Sequence, residues 1–171
     1  MSFSESYAHY SAKYIFRDWL VDKWRFNKKL GYRNTFFIFD WKIDLSDTDC
    51  GIRVEYPILS KIINTSNDLG TKDILGLKQT WSKYPDLEKA KENGLFVEAI
   101  IDIVICEDHR PKYGIEIVYK HPCTERKIRF LKSLTGYDIR FPVYEVSATW
   151  ILDQIYGKVP NKVPLTPINT D

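Results

Sequence analysis

Nowhere in this chain of 171 residues do apolar side chains run to the ~18 that a membrane-spanning helix needs, so no membrane partner is expected. The start lacks the basic, apolar and small-residue order of a secretory signal. Cysteine is scarce: Cys50, Cys106 and Cys123 form an odd set at irregular spacing. That excludes a disulfide framework as the organising device and points to a reducing cytoplasm. Clustered glycine is absent as well. Gly31, Gly51, Gly70 and Gly76 stand alone, so there is no glycine-rich phosphate loop. There is no internal repeat, no low-complexity segment and little excess charge, 25 Lys and Arg against 23 Asp and Glu. A net charge of +2 does not by itself argue for nucleic acid.

What is present is a length that fits one domain with its own core, and an abundance of rings, 5 Trp, 11 Tyr and 9 Phe. Most of those rings are expected in the core, and a minority could stack on bases. Lys23, Arg25, Lys28, Lys29 and Arg33 are interleaved with Trp24, Phe26 and Tyr32. Such a run either follows a phosphate backbone or is a solvated helix end with its rings turned inward.

Residues 4–24 read as a helix capped by Ser4, with Ala8, Ala12, Ile15, Trp19 and Leu20 at helical spacing and Glu5, His9 and Lys13 on one polar stripe beside them. Residues 35–45 read as a strand and 51–59 as its returning partner, cut short near Pro57. Residues 60–94 carry weak periodicity, with a helix at 86–92, and read as an insertion or lid. Residues 96–106 form an almost continuous apolar run, the mark of a buried central strand. A turn follows, then a second strand at 115–120, a short basic amphipathic helix at 124–134 with Ile128, Leu131 and Leu134 inward, and a strand at 143–150. The order helix, hairpin, insertion, hairpin, helix, strand predicts an α/β domain over 1–156, a mixed sheet flanked by helices. Pro160, Pro164 and Pro167 predict an extended or disordered tail over 157–171.

Two acids interrupt the apolar strands. Asp102 and Glu116 each cost several kcal/mol to bury unless compensated. A turn centred near His109 puts them opposite one another, their Cβ atoms roughly 5 Å apart. Carboxylates that close need a cation between them or a retained proton, and an all-oxygen pair selects Mg²⁺ or Mn²⁺. The alternative is that one or both face solvent or meet a lysine. Spacing alone leaves both readings open, because a one-residue slip exchanges the faces. Cys106, His109, His121 and Cys123 have zinc-ligand types, but the hairpin puts His121 on the order of 25 Å from Cys106. No spacing supports an activated cysteine, and Asp44, Asp47 and Asp49 lack the glycine and glutamate of a calcium loop.

Asp102, followed after a turn by Glu116 within Gly-Ile-Glu-Ile-Val, resembles the core hairpin of the PD-(D/E)XK nuclease superfamily. The opening Glu5-Ser6-Tyr7-Ala8-His9-Tyr10-Ser11-Ala12-Lys13 is similar to the Glu-Ser-x-x-His-x-x-x-Lys helix of its CoiA-like branch, found in phage and bacterial proteins. Residues 116–121, Lys127 and Tyr144-Glu145-Val146 are similar to that branch's strand, helix and strand. The resemblance covers the first helix and 95–150 and leaves 60–94 unmatched. It implies a restriction-endonuclease-like core, a nucleic-acid substrate (DNA foremost) and residence in the cytoplasm, a host's if the source is viral. Mg²⁺ or Mn²⁺ would be held by Asp102 and Glu116, with Glu5 as outer ligand. His9 and His121 would border the site, and water would attack a phosphodiester. The family's lysine position, two after the acid, is Val118, so Lys120 or Lys127 would have to serve. A basic groove of Lys13, Lys120, Lys127 and the run Lys23, Arg25, Lys28, Lys29 and Arg33, with His9 beside it, would hold the polyanion. The rival expectations are a nuclease fold that binds without turnover, and a scaffold that assembles, for instance as a homodimer, through exposed rings.

Overall fold

The computed structural model describes residues 6–29, 35–38, 41–44, 51–65, 68–74, 87–107, 110–154 and 163–170. The chain is an α/β protein with a mixed six-stranded sheet between helices. In chain order the elements are α1 (Tyr7–Lys29), β1 (Thr35–Ile38), β2 (Trp41–Asp44), β3 (Ile52–Thr65), β4 (Asp68–Ile74), α2 (Leu87–Glu92), β5 (Leu95–Glu107), β6 (Arg110–Val118), α3 (Glu125–Ser133), a 3₁₀ turn (Leu134–Tyr137), β7 (Val143–Ser147), α4 (Ala148–Gln154) and β8 (Thr166–Pro167). The main sheet runs β4-β3-β5-β6-β7-β8, antiparallel except for the β6–β7 pair. Among the described residues no helix is long and apolar enough to cross a membrane.

Helix α1 begins where Ser6 Oγ accepts the His9 amide at 3.2 Å and meets one of the first orphan donors; Ser4, the expected cap, lies outside the described residues. It buries Ala12, Phe16, Trp19 and Leu20, a face at i, i+4, i+7 and i+8 worth about 1.5–3 kcal/mol for each large side chain. Strand β5 is covered on both faces toward its end, with Ile101, Ile103, Val104 and Ile105 fully buried, whereas Phe96 and Ile100 are exposed. That is why its sequence is continuously apolar rather than alternating. Helix α3 starts at Thr124, whose Oγ1 accepts the Lys127 amide at 3.3 Å.

Five sequence expectations are corrected. Residues 35–38 pair with 41–44 as a separate small hairpin, whereas β3 pairs with β5 and β4. Strand β3 continues through Pro57, which pairs with Ile100 of β5, to Thr65, and its described pairs with β4 begin at Ser60. Residues 60–65 and 68–74 therefore belong to the main sheet and not to a lid, α2 falls where a helix was expected, and 75–86 lie outside the described residues. Strand β7 stops at Ser147, whose Oγ accepts the Trp150 amide at 3.3 Å, and α4 takes over with Ala148 and Ile151 packed in the α1 cluster. The tail docks: Val163 is buried, residues 166–167 pair with β7, and the Asn169 side chain bonds Val143, Leu131 and Phe141.

The two faces of the sheet exchange at one level. Ile52 of β3 and Ile103 and Ile105 of β5 pack with α1, but Tyr56, Ile58, Ala99 and Ile101 pack with α3. Residues two apart on a strand share a face, so both strands switch, one between Ile52 and Tyr56 and the other between Ile101 and Ile103. Glu55, with φ of 53°, sits at the switch in β3. Asp102 is its neighbour in β5, since Val54 pairs with Ile103 and Tyr56 with Ile101.

Candidate active site

The β5–β6 ladder is regular from Tyr113 to Ile115, and Ile103↔Ile115 is its last pair toward the site. One step beyond, carboxylates take over as acceptors for the main chain. Asp102 Oδ2 accepts the Ile117 amide at 2.8 Å, and the Asp102 amide donates to Glu116 Oε2 at 3.2 Å. Asp102 and Glu116 thus meet at the point where the strands part. From α1, His9 Nε2 lies 3.2 Å from Asp102 Oδ2. From α3, Lys127 Nζ donates to Glu116 Oε1 at 2.5 Å and to the Ile100 carbonyl at 2.9 Å. The Thr124 cap sets the first turn of α3, and with it the point from which Lys127 reaches back.

Glu116 is 4% exposed. Burial, then the charge of Asp102, push its carboxyl up to about 8, against the pull of Lys127. Burial also works to raise Asp102, but the bonds from His9, Glu116 and Ile117 outweigh it and hold the group below its ordinary value. In Lys127 burial works to lower the pKa, and the negative charge and hydrogen bond of Glu116 more than reverse that. Near neutral pH the carboxylate pair therefore shares one proton and one negative charge, and Lys127 beside it stays protonated. Burial, followed by the charge of Glu116, drives the Cys123 thiol up to about 11, so it is no thiolate nucleophile at neutral pH.

Two more acids extend the pair into a row across four adjacent strands. Glu55 lies beside Asp102 in the β3–β5 register, and Glu116 pairs with Glu145 in the parallel β6–β7 register. Each member has a donor: Lys13 Nζ to Glu55 Oε1 at 2.8 Å, His9 at Asp102, Lys127 at Glu116, and the Cys123 amide to Glu145 Oε1 at 3.2 Å. Glu55, Asp102 and Glu116, with their three partners, line one cavity of about 600 Å³. Sequence reasoning did not assign Glu55 or Glu145 to the site. Both are single acids between apolar or aromatic neighbours, the same signal that marked Asp102.

No family model, characterised protein or solved structure matches the chain.

The other expected residues are distributed as follows. His121 is exposed at the cavity rim. Lys120 does not continue the face of Glu116. The strand has ended at Val118, Lys120 has φ of 63°, and its ammonium lies 5.3 Å from the Tyr119 ring centroid. Strand alternation fails there, and Lys127 is the lysine that bonds Glu116. Lys13 is not on a solvated groove either: it is 1% exposed and ion-paired with Glu55. Lys23, Arg25, Lys28 and Lys29 lie on α1, but their side chains, like all of Glu5 and Arg33, fall outside the described residues.

Among the described residues no three His, Cys, Asp or Glu side chains are grouped as ligands of one ion. Mg²⁺ asks for less, since it keeps several waters and takes one or two carboxylates. Two neighbouring carboxyls, each accepting from the other strand's main chain and one of them raised in pKa by burial and the other's charge, are a donor set that a divalent cation would relieve by replacing a proton. The residues present fit such an ion.

Proposed function

We propose that this chain is a metal-dependent phosphodiester hydrolase acting on nucleic acid, DNA foremost, with a core of the PD-(D/E)XK nuclease type. The observation that carries the reading is the contact of the Lys127 ammonium with Glu116, beside Asp102. It supports a lysine reaching from a helix to do what Val118 cannot. Asp102 and Glu116 would hold Mg²⁺ or Mn²⁺, whose chemistry is Lewis-acid stabilisation of charge developing on phosphoryl oxygens. The protein's own part is positional and electrostatic. Ile117 N–H and His9 orient the Asp102 carboxylate. With a cation bound, Glu116 would direct its charge to the ion in place of its proton, and Lys127 could turn its positive charge toward the phosphate.

The test is single-turnover cleavage of labelled single- and double-stranded DNA and RNA with Mg²⁺, Mn²⁺ or EDTA, with binding measured separately. Cleavage with either metal is expected to vanish in Asp102→Ala. It should fall about a hundredfold or more in Lys127→Ala and remain near the parent level in Lys120→Ala. Full activity in Lys127→Ala would remove the lysine from the mechanism. A second reading, binding without turnover, is favoured by the Lys127 hydrogen bond that already satisfies Glu116. It expects salt-sensitive binding in EDTA and no cleavage with any divalent metal.

A further inference from the structure

The Lys13–Glu55 pair is asymmetric. The lysine side chain is 2% exposed and the glutamate side chain 53%. A buried ammonium needs an anion beside it, whereas a carboxylate half in water loses little by swinging away. Glu55 also holds a backbone conformation that glutamate rarely adopts, φ 53°, at the strand position next to Asp102. Strain of that kind persists where the surroundings enforce it, and it clusters at working sites. A static clamp between α1 and β3 would need neither the strain nor the exposure. Lys13 lies one helical turn beyond His9, about 5.4 Å along α1, and His9 touches Asp102. Lys13, Glu55 and the Asp102–Glu116 pair line the same cavity. One turn of helix is on the scale that separates neighbouring phosphates in a chain.

We propose that Lys13 anchors a phosphate subsite beside Asp102, and that Glu55 is its internal occupant, an anion that a phosphate group of the substrate displaces. The buried ammonium releases one anion only for another, so neutral groups do not open the subsite. The inference rests on the hydrolase reading for the source of the phosphate alone, not for the exchange itself.

The exchange is tested without metal and without turnover. Titrating the full chain in EDTA with inorganic phosphate, and with a short single-stranded DNA, gives dissociation constants for the parent, Glu55→Gln and Lys13→Met. Glu55→Gln is expected to bind phosphate about tenfold more tightly than the parent, because the competitor is gone, and Lys13→Met at least tenfold more weakly. Equal phosphate affinity in all three, or weaker binding in Glu55→Gln, overturns the proposal. If Glu55→Gln does not fold, parent against Lys13→Met decides. Methionine fills the buried volume without charge, and unchanged affinity then refutes the subsite. Loss of cleavage with the phosphate pattern intact would count against the hydrolase reading only; the reverse would count against the subsite only.

Discussion

Glu116 and Asp102 respond to pH in opposite directions. The folded pKa of Glu116, about 8, lies above its ordinary 4.5, so the folded chain holds a proton that the unfolded chain releases. The stability this contributes is complete below about pH 4.5 and is lost as pH rises through about 8. Asp102 is held below its ordinary 3.8; its contribution is present above that value and is lost as pH falls through the lowered folded pKa. The metal-free chain should therefore melt at a lower temperature near pH 9 than near pH 6, and Glu116→Gln should remove most of that difference. Thermal unfolding in EDTA across this range is the check. An alkaline limb unchanged in Glu116→Gln would place the raised group elsewhere.

At the scale of elements, β3 and β6 each contain one residue whose backbone decides the site. In β3 it is Glu55. Glu55→Asn and Glu55→Val both delete the carboxylate, but asparagine tolerates a left-handed φ and a β-branched residue does not. Glu55→Val is expected to be less stable than Glu55→Asn by about 1–2 kcal/mol, and equal urea midpoints would mean the strand can relax there. In β6 it is Gly114, where a Cβ would meet Phe141 Cζ and Val143 Cγ2 at 3.0 Å and Ile101 Cγ2 at 3.1 Å. Gly114→Ala should cost about 1–3 kcal/mol. By pushing β6 away from β7 just before Glu116, it should also reduce cleavage more than binding, a split that parallel kinetic and binding measurements would read.

The whole molecule is closed by its tail. The Asn169 amide donates to the Leu131 and Phe141 carbonyls, and its oxygen accepts the Val143 amide. One side chain thus ties the chain end to α3, to β7 and to the turn between them. Removing it leaves part-buried polar groups without those partners, so Asn169→Ala should lower stability by about 2 kcal/mol. A shift of the urea midpoint at unchanged slope would show this. No shift would mean that solvent replaces the bonds at no cost.

Some of this was legible in the chain itself, where the determining contacts are local. Asp102 and Glu116 are joined by a short hairpin, which keeps them close, although a bulge between Ile105 and Cys106 shifts the register by one residue on the way to them. The Thr124 cap and the spacing of Ile128, Leu131 and Leu134 define α3 within a few residues. The apolar run of β5 announces a strand covered on both faces toward its end. The rest depended on partners distant in sequence. Nothing in Arg53-Val54-Glu55-Tyr56 says that β3 pairs with β5 rather than with residues 35–45, and only that pairing brings Glu55 beside Asp102. Glu145 joins the row through the parallel β6–β7 pairing, which requires the crossover through α3. Lys120 looked like the lysine with the better strand face, a close second to Lys127, because strand alternation was extended past Val118, and the left-handed turn there removes it from that face. Lys13 looked solvated because its polar stripe is visible in sequence, but the sheet that buries it is not. Local spacing determined which acids and cations the site has available; long-range strand pairing decided which of them meet, because register between distant strands is set by packing of the whole sheet and not by neighbouring residues.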